Sequence, residues 1–263
     1  PPPNPTPPPT PPPNPTPPPN PTPRPLPGPG PSPIPGPLPI PPQPPVTHGY
    51  DAIHALVLRA SVLLGADTAS GQVVELQTRG QGGTDVLAVG DLDIEAMAID
   101  RTRQIIYAAD ATTQTLIAID STLTMQLVGQ QGDLARSGIR AMAYDPVNDI
   151  LFAVDSDTDE LLYLDTTLGT ATVIAPLSPT EADTIEAMTY DSDADALIAV
   201  DRATRFLVEI DRQTGAVQAR GLTEFEDIRA IAIEPGSAAL FASDAQTGRI
   251  VKLDRLTGAT IHR

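Results

Sequence analysis

From Ile53 onward, apolar runs of four to six residues alternate with short polar segments, and the pattern repeats five times. The first run of each unit reads Ile53-His-Ala-Leu-Val-Leu, Ile94-Glu-Ala-Met-Ala-Ile, Ile139-Arg-Ala-Met-Ala-Tyr, Ile185-Glu-Ala-Met-Thr-Tyr and Ile228-Arg-Ala-Ile-Ala-Ile. A polar turn follows, then a second run closed by Asp67, Asp110, Asp155, Asp201 or Asp244, at spacings of 43, 45, 46 and 43. The third run ends in Asp120, Asp165, Asp211 and Asp254 in four units and in Gln77 in the first. A weaker fourth run closes each unit at Val86–Gly90, Met125–Gly129, Thr172–Pro176, Val217–Gly221 and Ala259–Arg263.

Runs this short, rich in Ile, Val, Leu and Ala and bounded by Asp, Thr and Gly, predict strands. A helical solenoid of the same period would need apolar residues three and four apart over ten or more positions. Four strands per unit, at a period near 44 residues, is the signature of a β-propeller blade. The expected fold is therefore all-β: a propeller of five four-stranded repeats at about 50–91, 92–135, 136–181, 182–225 and 226–263.

The Asp closing each second strand, and the turns Asp211-Arg-Gln-Thr-Gly and Asp254-Arg-Leu-Thr-Gly, resemble the broad NHL, YVTN and quinoprotein-like propeller families over residues 50–263. Asp165-Thr-Thr-Leu-Gly and Asp120-Ser-Thr-Leu-Thr depart from that turn. The resemblance implies a fold that hosts enzymes, lectins and scaffolds alike. The absence of Trp argues against WD-type repeats. The fifth unit ends on its own fourth run, so closure is expected either by lateral packing of the end units or by continuation in another copy.

The first 46 residues break this pattern. Proline occupies every odd position from Pro1 to Pro41, and 28 of the 32 prolines precede Val46. Each ring fixes φ and removes a backbone donor, and each residue before proline is pushed toward extended geometry. The predicted state of residues 1–46 is a polyproline II stalk, reaching roughly 127 Å over its alternating part at about 3.1 Å per residue. Residues 47–263 form the second predicted domain.

In the stalk a six-residue repeat spans two turns of that helix, so Thr10, Thr16 and Thr22 share one face. Candidate glycosylation sites are Thr6, Thr10, Thr16, Thr22 and Ser32, together with stalk prolines such as Pro9, Pro13 and Pro19. N-glycosylation is excluded because each stalk Asn precedes Pro. This stretch resembles the hydroxyproline-rich glycoproteins of plant and algal walls and flagellar hairs. The resemblance implies prolyl hydroxylation, covalent glycans and fibrous assembly. The alternative is an unmodified rigid spacer.

Apart from Arg24, charge is confined to the second domain, which holds all 33 acidic residues and 15 of the 16 basic ones, a net charge of −18. Such a surface repels phosphate, so nucleic acid is excluded as a partner. No apolar run is long enough for membrane insertion by a helix. Cysteine is absent, which excludes disulfides, zinc–thiolate sites and thiol nucleophiles.

Three sets of residues could carry chemistry. The recurrent Asp residues could ring a metal, but their recurrence in every unit favours turn capping, in which the carboxylate accepts from backbone N–H groups two residues on. Asp155-Ser-Asp-Thr-Asp and Asp191-Ser-Asp-Ala-Asp open like calcium loops yet lack the following Gly and distal Glu. The residue after the first Ile of each unit is His54, Glu95, Arg140, Glu186 or Arg229, alternating in sign apart from the histidine. These five are expected to form an ion-pair ring around the central channel, or a channel binding site.

No nucleophile–base pair stands out, and the acids near the channel recur from unit to unit, so no catalytic residue, metal or cofactor is assigned. The aromatic residues, among them Tyr107, Phe152, Tyr163 and Phe241, fall in strands where packing explains them. The expected function is that of an extracellular or cell-surface structural glycoprotein, self-associating into a glycosylated fibre. The alternatives are a monomeric surface propeller on a spacer that binds a small ligand or protein, and a propeller hydrolase.

Overall fold

The computed structural model describes residues 53–76, 83–177, 184–237 and 239–261. The chain divides into two units, residues 1–42 and 43–263. The predicted stalk, its glycosylation candidates, His48 and His262 lie outside the described residues.

The second unit is a five-bladed β-propeller built from antiparallel sheets. Blade 1 holds β1 (Ile53–Arg59), β2 (Val62–Asp67), β3 (Gln72–Leu76) and β4 (Gly83–Ala88). Blade 2 holds β5 (Ile94–Asp100), β6 (Ile105–Asp110), β7 (Thr115–Ile119) and β8 (Met125–Val128). Blade 3 holds β9 (Ile139–Asp145), β10 (Ile150–Asp155), β11 (Glu160–Leu164) and β12 (Ala171–Pro176). Blade 4 holds β13 (Ile185–Asp191), β14 (Ala196–Asp201), β15 (Phe206–Ile210) and β16 (Val217–Leu222). Blade 5 holds β17 (Ile228–Ile233), β18 (Ala239–Asp244) and β19 (Arg249–Asp254), and its fourth position is marked by a single bridge between Leu253 and Thr260.

Within each blade the strands pair in chain order, so every connection is a hairpin. The second strands are buried almost throughout, because both their faces pack against neighbouring blades. This explains their continuous apolar runs rather than an alternating pattern. The first strands carry Ala at one equivalent place in all five blades (Ala55, Ala96, Ala141, Ala187 and Ala230), all buried. Each joins the apolar cluster between its own blade and the next.

The ring closes by lateral packing. The first strands contact one another in the cycle β1–β5–β9–β13–β17–β1. At the closing seam Ile53, Leu56, Leu58 and Leu63 of blade 1 share a core cluster with Ala230, Ala232 and Phe241 of blade 5. The Ser243 hydroxyl of blade 5 donates to the Ile53 carbonyl of blade 1 at 3.0 Å. Arg101 of blade 2 adds a clasp across the same seam, donating to the carbonyls of Leu58 (3.4 Å) and Ile233 (3.0 Å).

Candidate functional site

Each first strand carries a bulge at the same place. Ile53 pairs with Asp67 and Ala55 with Ala66, so His54 has no partner in the ladder. The same slip isolates Glu95, Arg140, Glu186 and Arg229. A bulge leaves one residue unpaired and re-aims its side chain. Here the five bulged residues together line one cavity of about 220 Å³ on the ring axis.

Beneath this cup lies a second ring, two residues further along each strand: Leu56, Met97, Met142, Met188 and Ile231, all buried. The space between them, lined by His54, Arg140 and Glu186 and by all five apolar residues, holds only about 10 Å³. The axial site is therefore a polar cup with an apolar floor.

Charges in the cup pair across blade boundaries. Arg140 of blade 3 pairs with Glu95 of blade 2. Arg229 of blade 5 lies 3.3 Å from Glu186 of blade 4. Asp227 accepts from both Arg229 and Arg202, at 2.6 and 2.7 Å, while Arg202 also stands 3.3 Å from Glu186. Burial pushes the Asp227 carboxyl up, but the two guanidiniums hold it below the usual carboxylate range. Burial, reinforced by the Arg229 charge, lowers the pKa of His54. Its imidazole makes no hydrogen bond among the described residues.

The recurrent Asp residues serve the hairpins. Asp100, Asp145 and Asp191, fully buried at the ends of first strands, each accept from two backbone N–H groups of the following turn. Asp110 accepts from Thr112 and Thr113, Asp201 from Ala203 and Thr204, and Asp67 from Ala69 and Ser70. Asp211 and Asp254 cap their turns in the same way. The two stretches that open like calcium loops are also turns. Asp155 and Glu160 of the first are held by Arg136, and Asp191 and Asp193 of the second by Arg255. Among the described residues no cluster of three or more His, Asp or Glu side chains is arranged to hold a metal ion.

The sequence reading missed a second role of the Asp-x-x-Thr-Gly turn. In blades 4 and 5 the residue after Asp is Arg, and it reaches back to the preceding blade. Arg212 meets Asp145 at 2.8 Å and Arg255 meets Asp191 at 2.7 Å. Burial pushes the Asp145 carboxyl up, but Asn148, two backbone N–H groups and Arg212 hold it below the usual carboxylate range. In blade 3 the equivalent residue is the uncharged Thr166. The buried Asp100 of blade 2 is then met by its own Arg103 at 2.8 Å.

The turn glycine also faces backwards. A Cβ on Gly169 would lie 2.1 Å from the Val128 carbonyl, and one on Gly215 would lie 2.4 Å from the Pro176 carbonyl. Both residues have positive φ, so glycine satisfies the turn and the close approach together. The available signal was the pairing of these turns with a buried Asp one repeat earlier.

A wider surface groove of about 530 Å³ runs along blade 3, floored by Phe152, Tyr163 and Ile174 and edged by Asn148, Arg212 and Gln213. No helix among the described residues is long and apolar enough to cross a membrane.

No protein-family model matches the sequence, and no curated protein matches it. The fold is similar to that of many solved structures. One is a chain of the nidogen/laminin complex (17% identity, 77% of this chain and 75% of that one covered, TM-score 0.56). A second is the glutaminyl cyclase of Myxococcus xanthus (14% identity, 80% and 93% covered, TM-score 0.60). A third is streptogramin B lyase (13% identity, 80% and 68% covered, TM-score 0.50). At these identities the likeness is one of fold alone. The chain belongs by architecture to the five-bladed β-propellers.

Proposed function

We propose that this protein is a non-enzymatic, extracellular structural subunit: a propeller bead on a proline-rich stalk that self-associates into a glycosylated fibre. The observation that carries this reading is the strict alternation of proline from Pro1 to Pro41. Such a segment favours an extended rod and supplies hydroxyls, and prolines open to hydroxylation, for covalent glycans. The use of the repeated acids in turns and inter-blade latches agrees with a bead whose task is mechanical. Its net negative charge would keep neighbouring fibres apart.

Mass spectrometry of the native protein, joined with sedimentation, tests the proposal. The expected result is hydroxylated proline with a ladder of sugar masses on the peptide preceding Tyr50, and a polymer in the ultracentrifuge. An unmodified mass for the peptide preceding Tyr50 together with a monomer would overturn it. The cup favours a second reading, a monomeric surface propeller that binds a small ligand. A monomer with a filled cup would support it.

A further inference from the structure

We propose that the axial cup is a binding site for a small zwitterion of the α-amino-acid type. The inference goes beyond fibre assembly and does not depend on it.

The cup has the size and closure of a ligand site. Its 220 Å³ equals about seven waters at ~30 Å³ each. It opens to solvent at the bulged ends of the first strands and is closed below by the Leu56–Met97–Met142–Met188–Ile231 ring. A short apolar side chain can rest on that floor.

The lining matches a molecule bearing both charges. The five wall residues are two carboxylates, two guanidiniums and one imidazole. Around the ring they run acid, base, acid, base, imidazole. The first acid and base, Glu95 and Arg140, are joined. The second acid is held weakly. Arg202 and Arg229 both stand 3.3 Å from Glu186, while each meets Asp227 at 2.7 Å or less. Charge-assisted hydrogen bonds run at about 2.7–2.9 Å, so the Nε groups that meet Asp227 make the short bonds, while the Nη1 groups reach one Glu186 oxygen each at longer range. The Glu186 carboxylate keeps acceptor capacity for an ammonium group.

No ion pair joins Arg140 to Glu186, although they stand on adjacent blades. A ligand lying between them presents its carboxylate to the N–H groups of the Arg140 fork that the Glu95 pair, made through Nη1, leaves over, and its ammonium to Glu186. His54 completes the wall. A neutral imidazole offers one donor and one acceptor, and it does not repel the ammonium.

The test uses the full chain and L-alanine as probe. The His54 imidazole is followed by NMR at neutral pH, with His48 and His262 as references. The expected result is a saturable shift of His54 in the millimolar range or tighter, weakened at least tenfold in Glu186→Gln. Acetate and methylammonium, each carrying one half of the zwitterion, should give no saturable shift. Absence of a saturable shift with L-alanine overturns the proposal, and an equal response to acetate overturns it in favour of a simple anion site. If Glu186→Gln does not fold, Arg140→Gln takes its place, and the half-ligand comparison stands by itself.

Discussion

The guanidinium of Arg212 in blade 4 lies 2.8 Å from the carboxylate of Asp145, fully buried at the end of the first strand of blade 3. Removing one partner of a buried pair strands the other charge. Arg212→Ala is therefore expected to destabilise the ring by about 3 kcal/mol in urea unfolding. Adding Asp145→Asn should recover part of that loss. A change within experimental error in the single variant would show that Asn148 and the turn N–H groups suffice for Asp145.

Gly65 offers a test of the closing seam. Blades 2 to 5 have Ala108, Ala153, Ala199 and Ala242 at the equivalent place, so alanine is the residue the repeat itself suggests. A Cβ at Gly65 would stand 2.8 Å from both Ile53 and Leu76. Gly65→Ala should thus destabilise, by about 1–3 kcal/mol as overpacking does. A stabilised variant would mean that the seam yields.

Arg140→Glu would set a third carboxylate beside Glu95 and Glu186. If the pairs in the cup help hold the blades together, the melting temperature should fall by roughly 5 °C, given that ~1 kcal/mol moves a domain of this size by about 2–4 °C. An unchanged melting temperature would assign these residues to binding alone.

Stability should decline in two stages on acidification. His54 has a lower pKa folded than unfolded. Below the unfolded value of about 6.5, the unfolded chain takes up a proton that the folded one refuses, so stability falls as pH drops below that point. Asp145 and Asp227 are also held low. Their contribution is present above about pH 4 and is lost as pH falls through their folded values. His54→Gln should flatten the first stage and leave the second. A profile identical to that of the parent would remove His54 from the account.

The blades were legible because their signal is local. Short apolar runs, Asp-closed strands and a 44-residue period recur five times, and each hairpin needs only its own residues. The five cup residues could be named because a charged residue interrupts an otherwise apolar strand at one fixed place. The bulge that turns them to the axis was not legible, since a ladder slip leaves no mark in composition. Nor were the latches of Arg212 and Arg255, whose partners lie in another repeat. Ring closure stayed open in the sequence because Ile53 and Ser243 meet only through the shape of the whole ring.

The turn residues give the ring a direction. Gly169, Gly215, Arg212 and Arg255 all grip the blade made before their own. A chain leaving the ribosome N-terminus first therefore finds a finished partner for each of these contacts as it appears. The joint between β17 and β1 is different, because its two halves emerge first and last. It has to wait for the complete domain, and until it forms, the exposed flanks of blades 1 and 5 are free to take a neighbour's flank instead of each other's.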